Sequence, residues 1–319
     1  MPLLSVVDLH THFRTPEGEL RAVDGVSLTV DKGESVGLVG ESGCGKSTLG
    51  KAVLRLVQPT SGSVGFDGEE VSRLPADALG PFRRRAQMIF QDPFSSLNPR
   101  HTIERILTAP LYVHGIGDRA ERKRRVPRMI EQGGLPLSSL SRYPHEFSGG
   151  QRQRIGIARA LILGPELVVC DEPVSALDLS IQAQILNLLV EMKREYGLSY
   201  LFISHDLSVI RYFANRVLVM YLGRIVESAA GADLWARPLH PYTRALIQAI
   251  PDPARRRQAA PIGGDIASPL DIPKGCRFHP RCPIATSICT KVDPALVRHG
   301  DGHEAACHHA GQLTRPPEA

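Results

Sequence analysis

The sequence predicts an α/β fold with a mostly parallel sheet, an antiparallel β subdomain, a helical subdomain and a small Cys-rich C-terminal domain. Short apolar segments alternate with amphipathic ones through residues 1–250, a pattern typical of strands alternating with helices. A glycine-rich turn joins one such strand to a helix, and after Pro251 the composition changes to Pro, Arg, Gly, His and Cys. We therefore expect a main domain over residues 1–250 with its helical subdomain at about 95–160, a Cys-rich domain over 251–310, and a disordered tail over 311–319.

The N-terminal part is predicted to contain strands. The segments LLSVVDLHTHF and AVDGVSLTV partly alternate apolar and polar residues, and the turn-rich segment RTPEGEL separates them. A short buried strand, ESVGLVG, precedes KSTLGKAVLRLV, which has helical spacing. Residues 102–140 are arginine-rich and also have a helical pattern.

The second half continues the alternation. QRQRIGIARALIL is predicted to be a helix, ELVVCDEP a buried strand that ends in acids, and SIQAQILNLLVEMKREYG an amphipathic helix that Gly197 terminates. LSYLFISHD and RVLVMYLGRIVES are again predicted to be strands. This order favours a parallel α/β sheet.

Composition narrows the class of protein. No stretch approaches the roughly 20 apolar residues of a membrane-spanning helix, and Asp8 interrupts the only apolar run near the N-terminus, which argues against a signal peptide. We expect a cytosolic protein, in which structural disulfides are rare, so the six cysteines are packing residues or metal ligands. The net charge of +5 comes largely from arginine runs without interleaved aromatics, which favours a solvated face over nucleic-acid binding.

A phosphate-binding loop is predicted where GESGCGKST fits the pattern G-x-x-x-x-G-K-[ST] between a strand and a helix. Glycines let the backbone curl around an anion, and the helix start adds a positive dipole end. Lys46 is expected to reach the β- and γ-phosphates and the Ser47 hydroxyl to ligate Mg²⁺. The predicted nucleotide contacts in this loop are Gly40, Glu41, Ser42, Gly43, Cys44, Gly45, Lys46, Ser47 and Thr48.

Two acids follow the buried strand LVVC. Asp171 and Glu172 stand at its carboxyl end, where open α/β sheets bind ligands. We expect Asp171 to hold Mg²⁺ through water, and Glu172 to orient and deprotonate the attacking water. Without a phosphate loop upstream, such a pair could equally be a surface turn.

The segment EFSGGQRQRIGIARAL resembles the signature of the ATP-binding cassette (ABC) ATPases, with Phe147 in place of the usual leucine. The resemblance implies a P-loop NTPase fold of the ABC type and an ATP sandwiched between two ATPase subunits. A serine hydroxyl and glycine N–H groups at a helix start form a second anion site. The resemblance implies that this element closes on the ATP held by a partner subunit. The residues of this element are Ser148, Gly149, Gly150 and Gln151.

Further positions match the same family. Gln91 resembles the family's glutamine that contacts Mg²⁺ and the attacking water. Asp178 is the last residue of SALD, which resembles the segment that crosses the dimer interface. His205 resembles the histidine that contacts the γ-phosphate. Phe13 is similar to the aromatic that stacks on adenine, although it could equally be a core residue. The resemblance thus assigns catalysis to Glu172, His205, Lys46 and Gln91, and Mg²⁺ binding to Ser47, Gln91 and Asp171.

Within that superfamily, FQDPFSSLNPR and HPYTRALIQAIPDP resemble the ATPase subunits of dipeptide/oligopeptide importers, most closely the F-type subunit. The resemblance implies a D-type ATPase partner, two transmembrane permease subunits met by residues 94–98, an extracytoplasmic substrate-binding protein, and a peripheral location on the cytoplasmic face of the inner membrane. Nucleic acid is not an expected partner. Other cargo, such as nickel or glutathione, and a non-transport ABC ATPase remain alternatives.

Four cysteines lie in the C-terminal part with the spacing C-x5-C-x6-C-x17-C, namely Cys276, Cys282, Cys289 and Cys307. The segment has few apolar residues, so a metal could supply its folding energy. Zinc usually prefers closer pairs, although neighbouring histidines keep it open, whereas a 4Fe–4S cluster tolerates irregular spacing. The importer resemblance also favours the cluster; unliganded thiols are the remaining alternative.

Overall fold

The computed structural model describes residues 1–250, 268–300 and 302–312. None of the helices in these ranges is long and apolar enough to cross a bilayer. The strands are β1 (Leu4–Thr15), β2 (Gly18–Val30), β3 (Ser35–Val39), β4 (Ser61–Phe66), β5 (Glu69–Glu70), β6 (Ala86–Ile89), β7 (Leu167–Asp171), β8 (Ser199–Ser204), β9 (Arg216–Tyr221), β10 (Arg224–Ala230), β11 (Val297–Arg298) and β12 (Glu304–Ala305). The helices are α1 (Lys46–Val53), α2 (Gly80–Arg85), α3 (Pro93–Ser96), α4 (Ile103–Val113), α5 (Arg119–Gln132), α6 (Gly149–Leu161), α7 (Leu179–Tyr196), α8 (Leu207–Phe213), α9 (Gly231–Ala236) and α10 (Pro241–Gln248).

The described residues divide into two compact units. The first contains Met1–Leu4, Val30–Glu34 and Phe66–Phe202. The second contains Ser5–Thr29, Ser35–Gly65 and the described part of Ile203–Ala319.

In the first unit, a buried parallel strand pair stands beside a group of helices. Strands β6 and β7 are parallel with Ile89 opposite Cys170, and every residue of β7 is buried, as expected for its continuous apolar run. Helices α4 to α7 pack on one another. Thr102 and Asp118 cap α4 and α5, since their side chains accept the backbone N–H groups of Arg105 and Glu121. The helices predicted for the arginine-rich stretch are therefore present.

In the second unit, the strand order is β11-β12-β10-β9-β3, and a further group has the order β2-β1-β4. Strands β3 and β9 are parallel, whereas β10 is antiparallel to both β9 and β12. The sheet is therefore mixed. The pairing of Ala305 with Glu227 adds the short C-terminal strands to the edge of this sheet.

Helix ends test the sequence predictions in detail. Helix α7 ends at Gly197, which has a left-handed backbone conformation (φ 65°) that glycine adopts at no steric cost, as predicted. Helix α1 ends at Val53, earlier than its apolar spacing predicts, and Arg55 has a positive φ of 53° that ends the helical turn. The predicted domain boundary adjoins residues 251–267, and most of the predicted tail is 313–319. Both of these ranges lie outside the described residues.

Candidate functional site

The predicted phosphate loop connects β3 to α1 in the second unit, and its two motif glycines have no room for a side chain. Gly40 has a φ of 156°, and a Cβ on it would lie 2.2 Å from the carbonyl oxygen of Met220. Gly45 has a φ of 106°, and its Cβ would lie 1.9 Å from the carbonyl oxygen of Ala22. Neighbouring backbone therefore requires glycine at both positions.

The start of α1 suits an anion. Its N-cap residue is Gly45, which has no side chain with which to cap the helix, and N–H groups at a helix start attract anions. The buried Lys46 Nζ donates hydrogen bonds to the carbonyl oxygens of Gly40 (2.7 Å) and Glu41 (2.9 Å). The ammonium group is thus held across the loop by its own carbonyls. Ser47 and Thr48 are half-buried in the same turn.

The predicted carboxylates lie in the first unit at the end of β7. Asp171 is buried, and Glu172 follows it with a positive φ of 46°, a conformation that costs a non-glycine residue about 1–3 kcal/mol. The Gln91 Nε2 donates a 3.3 Å hydrogen bond to the Glu172 Oε2. Gln91 follows β6, the parallel neighbour of β7, so the carboxyl ends of two adjacent strands bring this predicted pair together.

The signature element begins α6 in the first unit. The Ser148 hydroxyl accepts the N–H of Gln151 (3.4 Å), and the Gln151 side chain accepts the N–H of Ser148 (3.0 Å), which forms a capping box. A Cβ on the buried Gly150 would lie 2.5 Å from the Ile181 side chain, so α6 packs closely on α7 here. Phe147 is buried, while Ser148 itself is exposed.

The remaining predicted nucleotide residues lie at strand and helix ends. Asp178 caps α7 by accepting the N–H of Ile181 (3.0 Å), and that hydrogen bond lowers the pKa of its carboxyl. His205 follows β8 and is exposed. Phe13, on β1, is 37% exposed. This side chain is therefore not a buried core residue.

The four C-terminal cysteines converge in the second unit. The pKa of the Cys276 thiol is raised to about 12, mainly by burial and in part by the nearby sulfurs of Cys307, Cys289 and Cys282. Burial likewise raises the pKa of Cys307 to about 11, with the sulfurs of Cys282 and Cys289 also contributing. Each of these sulfurs therefore lies within electrostatic reach of the others.

Backbone N–H groups point at three of these sulfurs, and each donor stands two residues after its cysteine. Phe278 donates to Cys276, Ile284 to Cys282, and His309 to Cys307, the last at 3.4 Å. The Thr286 hydroxyl lies 3.7 Å from the Cys289 sulfur. Hydrogen bonds of this kind stabilise thiolates over thiols.

Sequence reasoning missed the residues that join the cysteine-rich segment to the phosphate loop within the second unit. The Arg281 guanidinium, next to Cys282, makes two parallel hydrogen bonds with the Glu41 carboxylate, at 2.6 and 2.8 Å. The Tyr242 hydroxyl accepts the backbone N–H of Glu41 at 2.8 Å. No local pattern signals these contacts, because Arg281 lies 240 positions after Glu41.

Comparisons with known proteins identify the family. Residues 23–175 match the ABC transporter family, and residues 226–289 match the C-terminal region of oligopeptide/dipeptide transporters. A putative peptide import ATP-binding protein of Brucella ovis is 54% identical over 308 residues, 96% of this chain and 97% of the relative. The chain belongs to the ABC transporter ATP-binding proteins of the oligopeptide/dipeptide type.

Other relatives agree. The oligopeptide transport ATP-binding protein AppF of Bacillus subtilis is 50% identical over 93% of this chain and 92% of its own length. Among solved structures, the dimeric post-hydrolysis state of the ATP-binding cassette MJ0796 bound to ADP and Pi has a TM-score of 0.66 and 29% identity. It covers 71% of this chain and 98% of its own. The predicted P-loop fold of the ABC type, with mixed α/β sheets, is therefore confirmed.

Proposed function

We propose that this protein is the ATP-hydrolysing subunit that powers import of dipeptides and oligopeptides through a membrane ABC transporter. The observation that carries the proposal is the pair formed by Gln91 and Glu172, since the glutamine orients a carboxylate at the strand end where a base is required. Family membership over nearly the whole chain supports the peptide class, because the relatives are named as peptide import and oligopeptide transport ATP-binding proteins.

Each predicted site residue takes a role that its chemistry suits. The loop N–H groups and Lys46 bind the β- and γ-phosphates once these displace the carbonyls that now hold the ammonium group. Glu172 accepts a proton from the attacking water, and Gln91 holds the carboxylate in place. His205 stabilises charge that develops on the γ-phosphate, and Phe13 stacks on the adenine.

The residues present fit a magnesium ion. The Ser47 hydroxyl, the Gln91 amide and the Asp171 carboxylate are oxygen ligands of the kind that Mg²⁺ prefers, and Asp171 would act through water. When bound, Mg²⁺ neutralises charge on the phosphate oxygens. Asp171 is buried at the end of β7, so bulk water does not solvate its carboxylate freely and a cation would stabilise the negative charge.

The signature element completes a site in a second subunit. Ser148 is exposed at the start of α6, and its capping box with Gln151 presets the turn whose N–H groups would face the partner's nucleotide. Asp178 stands in the segment that crosses between protomers. The dimeric state of MJ0796 with ADP and Pi supports such an assembly. We propose a D-type paralogue as the partner subunit.

We propose a peripheral position on the cytoplasmic face of the inner membrane, beside two permease subunits and an extracytoplasmic binding protein. The exposed Phe94 and Asn98 suit the contact with a membrane subunit. Nickel and glutathione remain alternative cargoes, and a non-transport role is the remaining candidate.

We propose that residues 251–310 act as a C-terminal domain whose four cysteines hold a 4Fe–4S cluster. Among the described residues these four thiols are free of disulfides, and their sulfurs lie within electrostatic reach of one another, which supports a shared ligand. The N–H groups that point at three of the sulfurs would stabilise the bound thiolates and tune the cluster.

Peptide uptake tests the proposed function. A host strain that lacks this coding sequence is supplied with wild-type protein or with Glu172→Gln, and uptake of isotope-labelled dipeptides, tetrapeptides, glutathione and nickel is measured. We expect wild type alone to restore uptake. Restored uptake of nickel or glutathione without peptides would reassign the cargo, and restoration by Glu172→Gln would overturn the role of the base.

A further inference from the structure

A second cluster of ligating side chains lies in the second unit and takes no part in the proposed ATP chemistry. His10 and His12 stand two positions apart on β1, and Asp24 lies on β2. One ligand atom from each of these residues can be chosen so that all three lie within 4.8 Å of one another. The exposed side-chain fractions are 23%, 17% and 8%, so the group is partly shielded but reachable from solvent.

The distances suit a tetrahedral metal ion. The His10 Nδ1 lies 3.1 Å from the Asp24 Oδ1, and the His12 Nε2 lies 3.3 Å from the same oxygen. Ligand atoms on a tetrahedral zinc with bonds of about 2.0–2.1 Å are about 3.3 Å apart. Little movement is therefore needed for an ion to enter between the two nitrogens and the oxygen.

The outer nitrogens of both rings also face carboxylates. The His10 Nε2 lies 3.2 Å from the Asp8 Oδ1, and the His12 Nδ1 lies 3.6 Å from the Glu19 Oε1. A neutral imidazole carries one N–H, so it can donate to only one of its two carboxylate neighbours. With a metal on the inner nitrogens, the His10 Nε2–H donates to Asp8, and the His12 Nδ1–H faces the Glu19 carboxylate at 3.6 Å, just beyond hydrogen-bond distance. An outer carboxylate partner is the usual arrangement of metal-bound histidines.

The second oxygen of Asp24 is already engaged. The Asp24 Oδ2 accepts a hydrogen bond from Arg277, and the Arg224 guanidinium lies 4.0 Å from it. These cations hold the carboxylate ionised and orient it, while Oδ1 is turned to the imidazoles. The two oxygens of one carboxylate thus have separate functions.

We infer that His10, His12 and Asp24 form a binding site for a divalent transition-metal ion of the Zn²⁺ class. Two imidazoles and one carboxylate are ligands that suit zinc, and three protein ligands leave one position for water. Such an ion would join β1 to β2. The site uses none of the residues assigned to ATP hydrolysis, and it is distinct from the cysteine group because it offers nitrogen and oxygen rather than sulfur.

Metal titration of the full chain, free of any affinity tag, tests this site. Zn²⁺ is titrated by calorimetry into wild type and into the double variant His10→Gln/His12→Gln, both prepared anaerobically with the same iron content. We expect the double variant to bind one Zn²⁺ equivalent fewer. The control His114→Gln/His299→Gln also removes two imidazoles and is expected to keep that equivalent. Equal stoichiometry in wild type and His10→Gln/His12→Gln would overturn the inference.

Co²⁺ identifies the ligands directly. The absorption lost in the His10→Gln/His12→Gln variant is expected to contain d–d bands without the near-ultraviolet charge transfer of thiolate ligands. A lost band of thiolate character would assign the binding to the cysteines and refute the site.

The outer carboxylates provide a second variant that keeps all three ligands. Asp8→Asn/Glu19→Gln removes both negative charges, so it is expected to bind Zn²⁺ about tenfold more weakly, the lower end of the usual effect of altering the carboxylates that face metal-bound histidines. Unfolding midpoints in EDTA that match wild type show that the fold is retained. Unchanged affinity in this variant would contradict the arrangement of donors on which the inference rests.

Discussion

The Gln91–Glu172 pair of the first unit and the cysteine-rich segment of the second unit are positioned by different means. Glu172 and Gln91 each follow a strand, and because β6 and β7 are adjacent and parallel, the two side chains meet where the strands end. Short contiguous motifs are sufficient to encode this arrangement.

The cysteine-rich segment is instead held by ion pairs between distant parts of the second unit. Arg277 binds Asp24, and Arg281 binds Glu41, each across more than two hundred positions of sequence. Aromatic rings add to this support, since Tyr221, Tyr242 and Phe278 pack with centroids 4.7–5.4 Å apart. The positions of Gln91 and Glu172 are therefore determined by short motifs at the ends of neighbouring strands. The cysteine-rich segment is held instead by ion pairs between residues far apart in the sequence.

Replacement of the catalytic base Glu172 is expected to have the largest effect, a loss of ATP turnover that comes from the first region. Glu172→Gln removes the carboxylate that accepts the proton of the attacking water, so we expect ATP turnover to fall about 10²–10⁴-fold while ATP binding persists. Turnover is measured by phosphate release with the partner subunits present, and binding by a fluorescent ATP analogue.

Glu191→Gln is the matched control, because Glu191 is an exposed glutamate on α7 of the same unit. It should turn over ATP as wild type does. A Glu172→Gln protein that hydrolyses ATP near the wild-type rate would contradict the assignment of the base.

Removing one cysteine should affect the second unit alone. Cys276→Ser takes away a sulfur that is buried and that accepts the N–H of Phe278. We expect iron to fall from about four atoms per chain to near zero, together with a lower midpoint of thermal unfolding. Iron, sulfide and zinc are measured after anaerobic purification.

Cys170→Ala provides the control, since Cys170 is also buried but lies on β7 of the first unit. Its iron content should match that of wild type. Wild-type protein that carries zinc and no iron would replace the cluster with the zinc alternative, and equal iron in Cys276→Ser and wild type would exclude Cys276 as a ligand.

Sequence patterns predicted the first of these regions better than the second. The apolar run LVVC places Asp171 and Glu172 at a strand end, and Ser148 with Gln151 forms the capping box that a helix start of this kind favours. These features depend on residues a few positions apart, so periodicity and motif spacing contain the necessary information.

The rest depends on tertiary contacts. The buried Glu227 carboxylate accepts the N–H groups of Leu239 and His240 and also faces His303, and no periodic pattern predicts such a network. The short strands β11 and β12 lie in a segment without alternation, where pairing with β10 rather than β propensity determines the structure. The sequence therefore predicted the cysteines as ligands without predicting what holds their segment in place.

Mild acid should weaken the second unit through His240. Burial lowers the pKa of this imidazole to about 3 from the ordinary 6.5, so the unfolded chain binds a proton that the folded chain does not. Stability is full above pH 6.5 and falls as the pH drops toward 3, by about 2 kcal/mol at pH 5. Urea unfolding at pH 7.5 and pH 5 measures this loss.

His240→Asn keeps a side-chain acceptor for the N–H of Tyr242 at the start of α10 but does not titrate. This variant should lose about 2 kcal/mol less than wild type between the two pH values. His299→Gln, an exposed histidine, should retain the wild-type pH dependence. Identical pH dependence in His240→Asn and wild type would show that His240 is not the group responsible.

The smallest expected effect tests whether the cysteine-rich segment supports the phosphate loop within the second unit. Arg281→Ala removes the two hydrogen bonds that fix the Glu41 side chain at the edge of the phosphate loop. We expect the KM for ATP to rise about tenfold with a smaller change in kcat, because charge-assisted hydrogen bonds contribute about 1.5–3 kcal/mol and only part of that positions the loop. Steady-state phosphate release measures both constants.

Three further variants separate positioning from general damage to the fold. Arg281→Lys keeps the charge but not the paired geometry and should fall between wild type and Arg281→Ala, while the exposed Arg298→Ala should match wild type. The double variant Glu41→Gln/Arg281→Ala should cost less than the sum of its single changes, since both remove the same contact. Fully additive effects would mean that Arg281 acts on ATP binding by another route, and a parallel loss of iron would trace the effect to the neighbouring Cys282.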